Sequence, residues 1–329
     1  MNILYPKNGG LSSIILKKGD FSAARRVGQR LGFSAAVSDI YAAAPFAVEW
    51  RGKGGMTVPI IRLSDISKHF RVYRRPEGRW GLLKGAFVRT AVRVQALNGV
   101  SFAIERGELV GFIGPNGAGK STTVKIMSGI LTPDGGECVI IGRTPWKERV
   151  AHVAQIGVIF GQRSQLWWDV PVGDSFHLLR DIYGIPAKEY GKRQDELTEA
   201  LELRRLLKTP ARQLSLSQRM RCELAAALLH SPQILFLDEP TIGLDAVSKL
   251  ALRAFLKEEN RRSGVTVLLT THDMDDIAAL CDRVLVIGRG QLLYDGPLEL
   301  LRTKYAVSDR QDIDEIIAAM YRDMALEEA

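Results

Sequence analysis

An α/β protein with a mostly parallel sheet flanked by helices is predicted by three observations. Short apolar runs of strand length recur through the chain: Leu109-Val110-Gly111-Phe112-Ile113, Ile234-Leu235-Phe236-Leu237, Val265-Thr266-Val267-Leu268-Leu269 and Val284-Leu285-Val286-Ile287. Near-continuous apolar runs suit strands covered on both faces. Longer amphipathic stretches separate them, such as Gln218 to His230, which Ser231-Pro232 stops. Alternation of this kind builds a sheet wrapped by helices. Third, a glycine-rich turn ending in Lys120 follows the first run directly, where a strand hands over to a helix.

The elements divide the chain into three regions. Residues 1–55, rich in Ala, Gly, Ser and Arg and ending in Arg51-Gly52-Lys53-Gly54-Gly55, are expected to be a poorly ordered N-terminal extension, with Met56 a candidate start. Residues 56–295 read as one α/β domain. It opens on the strand-like Val58-Pro59-Ile60-Ile61-Arg62-Leu63, and carries a basic insertion over 71–93 and a helical subdomain over about 163–230. Residues 296–329 read as a helical tail, with Ile313, Ile316, Ile317 and Met320 on one helix face. No internal repeat is visible.

Composition excludes several classes. The 329 residues are 46% hydrophobic and 25% charged, which is ordinary for a globular chain. Cys138, Cys222 and Cys281 lie far apart with no CxxC or Cys/His cluster, so they read as small buried hydrophobes in a reducing compartment. No stretch reaches the ~18–20 uninterrupted apolar residues that span a bilayer. The nearest, Phe33 to Trp50, contains Asp39, Pro45 and Glu49. A soluble protein without a secretory signal is expected, and any membrane role then comes through a partner. The net charge of +8 is uneven: residues 1–55 carry +5 and residues 71–93 carry +6, so the remainder is mildly acidic. In the insertion, Trp80, Leu82, Leu83, Phe87 and Val88 alternate with Arg and Lys, as in a basic segment that meets a membrane surface or a partner's face. A solvated loop is the other reading.

The chemistry concentrates in two motifs. Gly114-Pro115-Asn116-Gly117-Ala118-Gly119-Lys120-Ser121-Thr122 fits GxxxxGK[ST] and follows an apolar strand. Its glycines let successive backbone N–H groups face phosphates at the positive end of the next helix. Lys120 then reaches the β- and γ-phosphates and the Ser121 hydroxyl ligates Mg²⁺. Ile234-Leu235-Phe236-Leu237 ends in Asp238 and Glu239, 118 residues after Lys120. Asp238 suits the metal shell, and Glu239 is placed to polarise an attacking water. A P-loop NTPase core that binds a nucleotide's phosphates with Mg²⁺ is expected.

The order of elements from about residue 60 to 295 resembles the ATP-binding-cassette family. That resemblance implies ATP as the nucleotide, a Q-loop glutamine at Gln162, contributing to the metal site and sensing the γ-phosphate, and a switch histidine at His272. It also implies a D-loop at Gly243-Leu244-Asp245 and an inserted α-helical signature subdomain. The signature LSGGQ corresponds to Leu214-Ser215-Leu216-Ser217-Gln218, so Ser215, Ser217 and Gln218 would reach the nucleotide of a second copy across a dimer interface. Leu216 and Ser217 replace both glycines. The added hydroxyl of Ser217 either hydrogen-bonds the phosphate or holds the interface open and slows hydrolysis. An adenine-stacking aromatic is expected at Phe70, with Tyr73 second.

As an implication of the resemblance, the chain is the motor subunit of a transporter, most similar to daunorubicin-resistance and sodium-export ATPases. Its permeases would be separate chains, its own partner a second copy, and its place peripheral on the cytoplasmic face of the inner membrane. Trp167, Trp168 and Pro171 would form an apolar docking patch or pack in the core. A soluble cassette protein of translation or DNA repair is the alternative. Translation relatives carry two cassettes and repair relatives a long coiled coil between Lys120 and Asp238, and neither is present in this sequence. A regulatory nucleotide-binding subunit with weak hydrolysis is a further one. Nucleic acid lacks a recognition motif here.

Overall fold

The computed structural model describes residues 2–7, 10–15, 58–74, 90–161, 163–271, 273–305, 315 and 319–320. The chain separates into two compact units, Met1–Met56 and Thr57–Ala329. Within the first, where a poorly ordered extension was expected, β1 (Asn2–Lys7) and β2 (Gly10–Ile15) pair as an antiparallel hairpin, with Lys7 opposite Gly10.

The second unit holds two sheets. β3 (Ile61–Arg74), β4 (Thr90–Ile104) and β6 (Gly135–Ile140) form an antiparallel sheet in the order β4-β3-β6. β5 (Leu109–Ile113), β7 (Ile156–Phe160), β8 (Ile234–Asp238), β9 (Thr266–Thr270), β10 (Arg283–Gly288) and β11 (Gln291–Pro297) form the other, in the order β11-β10-β5-β9-β8-β7. All of its pairs are parallel except β10–β11. The four apolar runs of the sequence become β5, β8, β9 and β10. The strand pattern at Val58 continues to Arg74, and β4 opens at Thr90, so both ends of the expected insertion are paired strand. Val72 and Val94 on these paired ends are exposed, and Trp80, Leu82, Leu83, Phe87 and Val88, which carried the basic alternation, lie outside the described residues. Residues 75–89 lie outside the described residues.

Helices cover the parallel sheet. α1 (Lys120–Met127) and α2 (Arg149–Val153) follow the strands β5 and β6. α3 (Val172–Tyr183), α4 (Ala187–Ala200) and α5 (Leu216–Leu228) form the helical insert between β7 and β8. α6 (Ala246–Ser263), α7 (Met274–Leu280) and α8 (Leu298–Tyr305) complete the set. The helix expected to His230 stops at Leu228, where Ser231 turns to φ 51° ahead of Pro232. Ile313, Ile316 and Ile317 lie outside the described residues, whereas Met320 is buried. No helix among the described residues is long and apolar enough to cross a membrane.

Side chains of the parallel strands alternate between two cores. Leu235, Leu237, Val267 and Leu269 pack with α3, α5, α6 and α7, while Ile234, Phe236, Leu268 and Phe112 pack with α1 and the antiparallel sheet. Double coverage explains the continuous apolar runs. Cys138, Cys222 and Cys281 are free and buried, and burial pushes the Cys138 and Cys222 thiols up to about 12.

Candidate active site

β5, β9, β8 and β7 run side by side, so the loops at their carboxyl ends share one edge of the sheet. Open α/β sheets hold ligands at that edge. β5 delivers the Gly114–Lys120 turn. A Cβ at Gly114 would come within 2.2 Å of the Ile287 carbonyl oxygen. At Gly119, φ 115°, it would come within 2.6 Å of Leu97 and 2.9 Å of the Ala96 carbonyl. Only glycine lets the backbone lie this close while curling into α1. Ala118 N donates to Pro115 O at 3.1 Å to close the turn, and Asn116 and Gly117 are exposed at its tip. Lys120 is buried, and its ammonium donates to the carbonyls of Gly114 and Pro115 within the loop. Ser121 and Thr122 are half-buried on the first turn of α1.

β8 ends at Asp238, whose partners across the sheet are Thr270 on β9 and Phe160 on β7. Only 8% of Asp238 is exposed. Its Oδ1 accepts hydrogen bonds from Thr270 Oγ1 at 2.6 Å and Ser121 Oγ at 3.2 Å. The hydroxyl and carboxylate expected at the metal therefore touch. Such hard oxygen donors fit Mg²⁺, which uses one or two protein ligands beside waters and phosphate oxygens. No group of three His, Cys, Asp or Glu gathers into a protein-only cage among the described residues.

Glu239 turns to φ 57°, a left-handed conformation rare outside glycine and concentrated at functional sites. Its N–H donates to both the carbonyl (3.0 Å) and hydroxyl (3.2 Å) of Thr270. Gly161 at the end of β7 donates its N–H to the Asp238 carbonyl at 2.9 Å. Gln162 and His272 lie outside the described residues. Their neighbours Gly161, Thr271 and Asp273 flank the same strand ends.

The signature residues form a second cluster. Ser215 caps α5 in a reciprocal box: Gln218 N donates to Ser215 Oγ (3.2 Å) and Ser215 N to Gln218 Oε1 (2.9 Å). Ser217 Oγ donates to Asp245 Oδ2 at 3.3 Å, and Asp245 in turn caps α6. Phe70 stands on β3 opposite Val94, 37% exposed, with the Lys68 ammonium 5.9 Å from its ring centre. Trp167 and Trp168 are exposed and Pro171 half-buried, so the first two do not pack in the core.

Two residues at this edge escape sequence reasoning. Thr270 links Asp238 to Glu239. Glu223, buried on α5, accepts from the Ser164 hydroxyl and from Gln165 N (3.0 Å), tying the segment just after Gln162 to the signature helix. Burial pushes the Glu223 carboxyl above the usual range, against these hydrogen bonds. Its sequence signal is a lone acid between Cys222 and Leu224 on a buried face.

Known proteins share this arrangement. A family model described as "ABC transporter" matches residues 97–242. "ABC transporter ATP-binding protein NatA" of Bacillus subtilis (strain 168) is 33% identical over 208 residues, which is 63% of this chain and 84% of that protein. "Methionine import ATP-binding protein MetN" of Geobacillus kaustophilus (strain HTA426) is 38% identical, covering 62% of this chain and 60% of that one. "Probable multidrug ABC transporter ATP-binding protein YbhF" of Escherichia coli (strain K12) is 35% identical over 66% of this chain, which spans only 37% of its length. The dimeric post-hydrolysis structure of the ATP-binding cassette MJ0796 bound to ADP and Pi aligns at TM-score 0.60 and 26% identity, over 72% of this chain and 98% of that one.

Proposed function

The chain belongs to the ATP-binding-cassette transporter ATPases, and from that premise we propose that it is the ATP-hydrolysing motor of a membrane transporter, working as a pair of copies on permease subunits carried by separate chains. The contact of Ser121 with Asp238 beneath the P-loop carries this reading, because it joins a phosphate cradle to a metal-binding carboxylate. The backbone N–H groups of the Gly114–Lys120 turn and the Lys120 ammonium hold the phosphates at the amino end of α1. Ser121 and Asp238 hold Mg²⁺, with Gln162 completing the shell. Held there, Mg²⁺ would supply positive charge against the charge that develops during phosphoryl transfer.

Glu239 accepts the hydrogen bond that orients the attacking water, on a backbone that Thr270 fixes, and His272 contacts the γ-phosphate. Phe70 stacks on the adenine. Ser215 and Gln218 reach the γ-phosphate of the second copy, so each site is completed in trans across a two-fold interface. Closure on ATP and reopening after hydrolysis move permeases docked on the exposed Trp167 and Trp168 at the cytoplasmic face of the membrane. Export is the direction we infer, from the P-loop run and the Leu216-containing signature. An import protein is also among the relatives, and the permease sets the cargo.

Steady-state ATPase activity, measured alone and with the membrane proteins encoded beside the gene, tests the reading. Turnover that rises with the permease and vanishes in Glu239→Gln, while ATP binding persists, is expected. Undiminished turnover in Glu239→Gln removes that residue from its role, and indifference to every membrane partner removes the transporter.

A further inference from the structure

Leu216 and Ser217, the two positions at which the signature departs from glycine, both land on one short segment of the same chain. Ser217 Oγ donates to Asp245 Oδ2 at 3.3 Å. Leu216 lies against Gly243, where an added Cβ would come within 2.7 Å of its Cδ2. Asp245 is already the cap of α6: Oδ1 accepts from Ser248 N at 2.9 Å and Oδ2 from Ser248 Oγ at 2.8 Å. Ser215 and Gln218 close the cap of α5 from the other side. The amino ends of the two helices are thus joined by Ser217, which bonds the α6 cap Asp245 across a sequence separation of 28. A glycine pair at 216–217 has no side chain for either contact.

The hydroxyl also decides between two roles. Serine has one proton to donate. Given to Asp245, it is unavailable to a phosphate, which can only accept. Asp245 is a dependable acceptor near neutral pH. The Ser248 backbone N–H, then its hydroxyl, with Ser217 adding to them, hold its carboxyl below the usual carboxylate range.

We propose that Ser217 is a positioning residue whose hydroxyl latches the signature segment to the Gly243–Asp245 turn of its own chain. The two then meet the second copy's nucleotide as one preformed unit. This rests on the dimeric motor reading above. Preformed contacts lower the ordering entropy lost when an interface closes, so the latch acts on turnover in the closed pair and leaves ATP capture by the P-loop alone.

The test compares full-length Ser217→Ala and Ser217→Gly, which lack the donor, with Ser217→Thr, which keeps it. In Ser217→Ala, amide exchange over residues 243–248 is expected to speed up about fivefold, the size of one lost exposed hydrogen bond. With ATP as substrate, kcat is expected to fall by about fivefold at unchanged KM, and Ser217→Thr to restore both readouts. Unaltered exchange in Ser217→Ala overturns the latch, whatever the turnover. Faster exchange with unchanged or higher kcat overturns the positioning role, and a rise in KM alone would put the hydroxyl on the nucleotide instead. A wild-type chain showing neither turnover nor ATP-driven dimerisation sinks the motor reading, and the exchange comparison still decides the latch.

Discussion

Asp238 is a nearly buried carboxylate whose Oδ1 is served by two neutral hydroxyls, Thr270 at 2.6 Å and Ser121 at 3.2 Å. Ser121 is the one that metal binding would redirect, so Thr270 is the permanent holder. Thr270→Val keeps the β-branched shape that suits a strand and removes only the hydroxyl. A loss of about 1–2 kcal/mol is expected in urea unfolding, because a buried acceptor loses a donor. ATP turnover is expected to drop by about tenfold with binding retained, as the metal ligand and the Glu239 turn both loosen. Full turnover in this variant would mean that Asp238 is held in place without it. The P-loop and the Asp238-Glu239 pair were legible in the sequence because their chemistry needs fixed residue types at fixed spacing. Thr270 was not legible: threonine is a common strand former, and its role arises only when the β8–β9 register sets it opposite Asp238. Ser217 was visible as a departure, but its partner Asp245 was hidden by a sequence separation of 28.

Among the elements, α4 is fastened to α6 by a ring of charges. Arg193 bonds Glu259 at 2.6 Å and Glu196 at 3.3 Å, and Arg262 bonds Glu259 and Glu196, each at 2.9 Å. Arg193 Nε adds a bond to the Leu228 carbonyl at the end of α5 (3.2 Å), so the helical insert is tied to the core helix α6. Burial alone would push the Glu259 carboxyl up, but the hydrogen bonds from Arg193 and Arg262 outweigh it and hold it below the usual range. A depressed folded value stabilises above the unfolded value and is lost as pH falls through the folded one. Glu259→Gln is therefore expected to lose about 3 kcal/mol at pH 7, as for a buried pair deprived of one partner. The gap from wild type should close as unfolding is repeated below about pH 4, under the ordinary carboxylate value. A gap independent of pH would show that packing, not charge, joins the helices. The strands β5, β8, β9 and β10 were legible as continuous apolar runs, and α5 as an amphipathic stretch. The β4-β3-β6 sheet was not, because only Val58–Leu63 read as strand. The rest of β3 is half-exposed, and its register against β4 shifts between Leu63 and His69, interrupting the two-residue period.

For the whole molecule, the decisive feature is that the chain's candidate site residues form two clusters. Ser121, Asp238 and Thr270 gather at the carboxyl ends of β5, β8 and β9. Ser215, Ser217, Gln218 and Asp245 gather at the amino ends of α5 and α6, bonded in two pairs, Ser215 with Gln218 and Ser217 with Asp245. If the second cluster completes the first only in another copy, hydrolysis requires two chains and obeys mass action. Turnover per chain should then fall on dilution below the dimer dissociation constant, whereas a self-sufficient chain would hold constant over the same range. Mixing sharpens the argument. In an equal mixture of wild type and Glu239→Gln at saturating concentration, random pairing makes about a quarter of the dimers fully wild type and about half mixed. If both sites must fire for the pair to reopen, total activity should fall to about a quarter of an all-wild-type sample of the same chain concentration. If each site fires alone, it should fall to about a half. A dilution-independent turnover would place the whole site within one chain and remove the reason for a second copy.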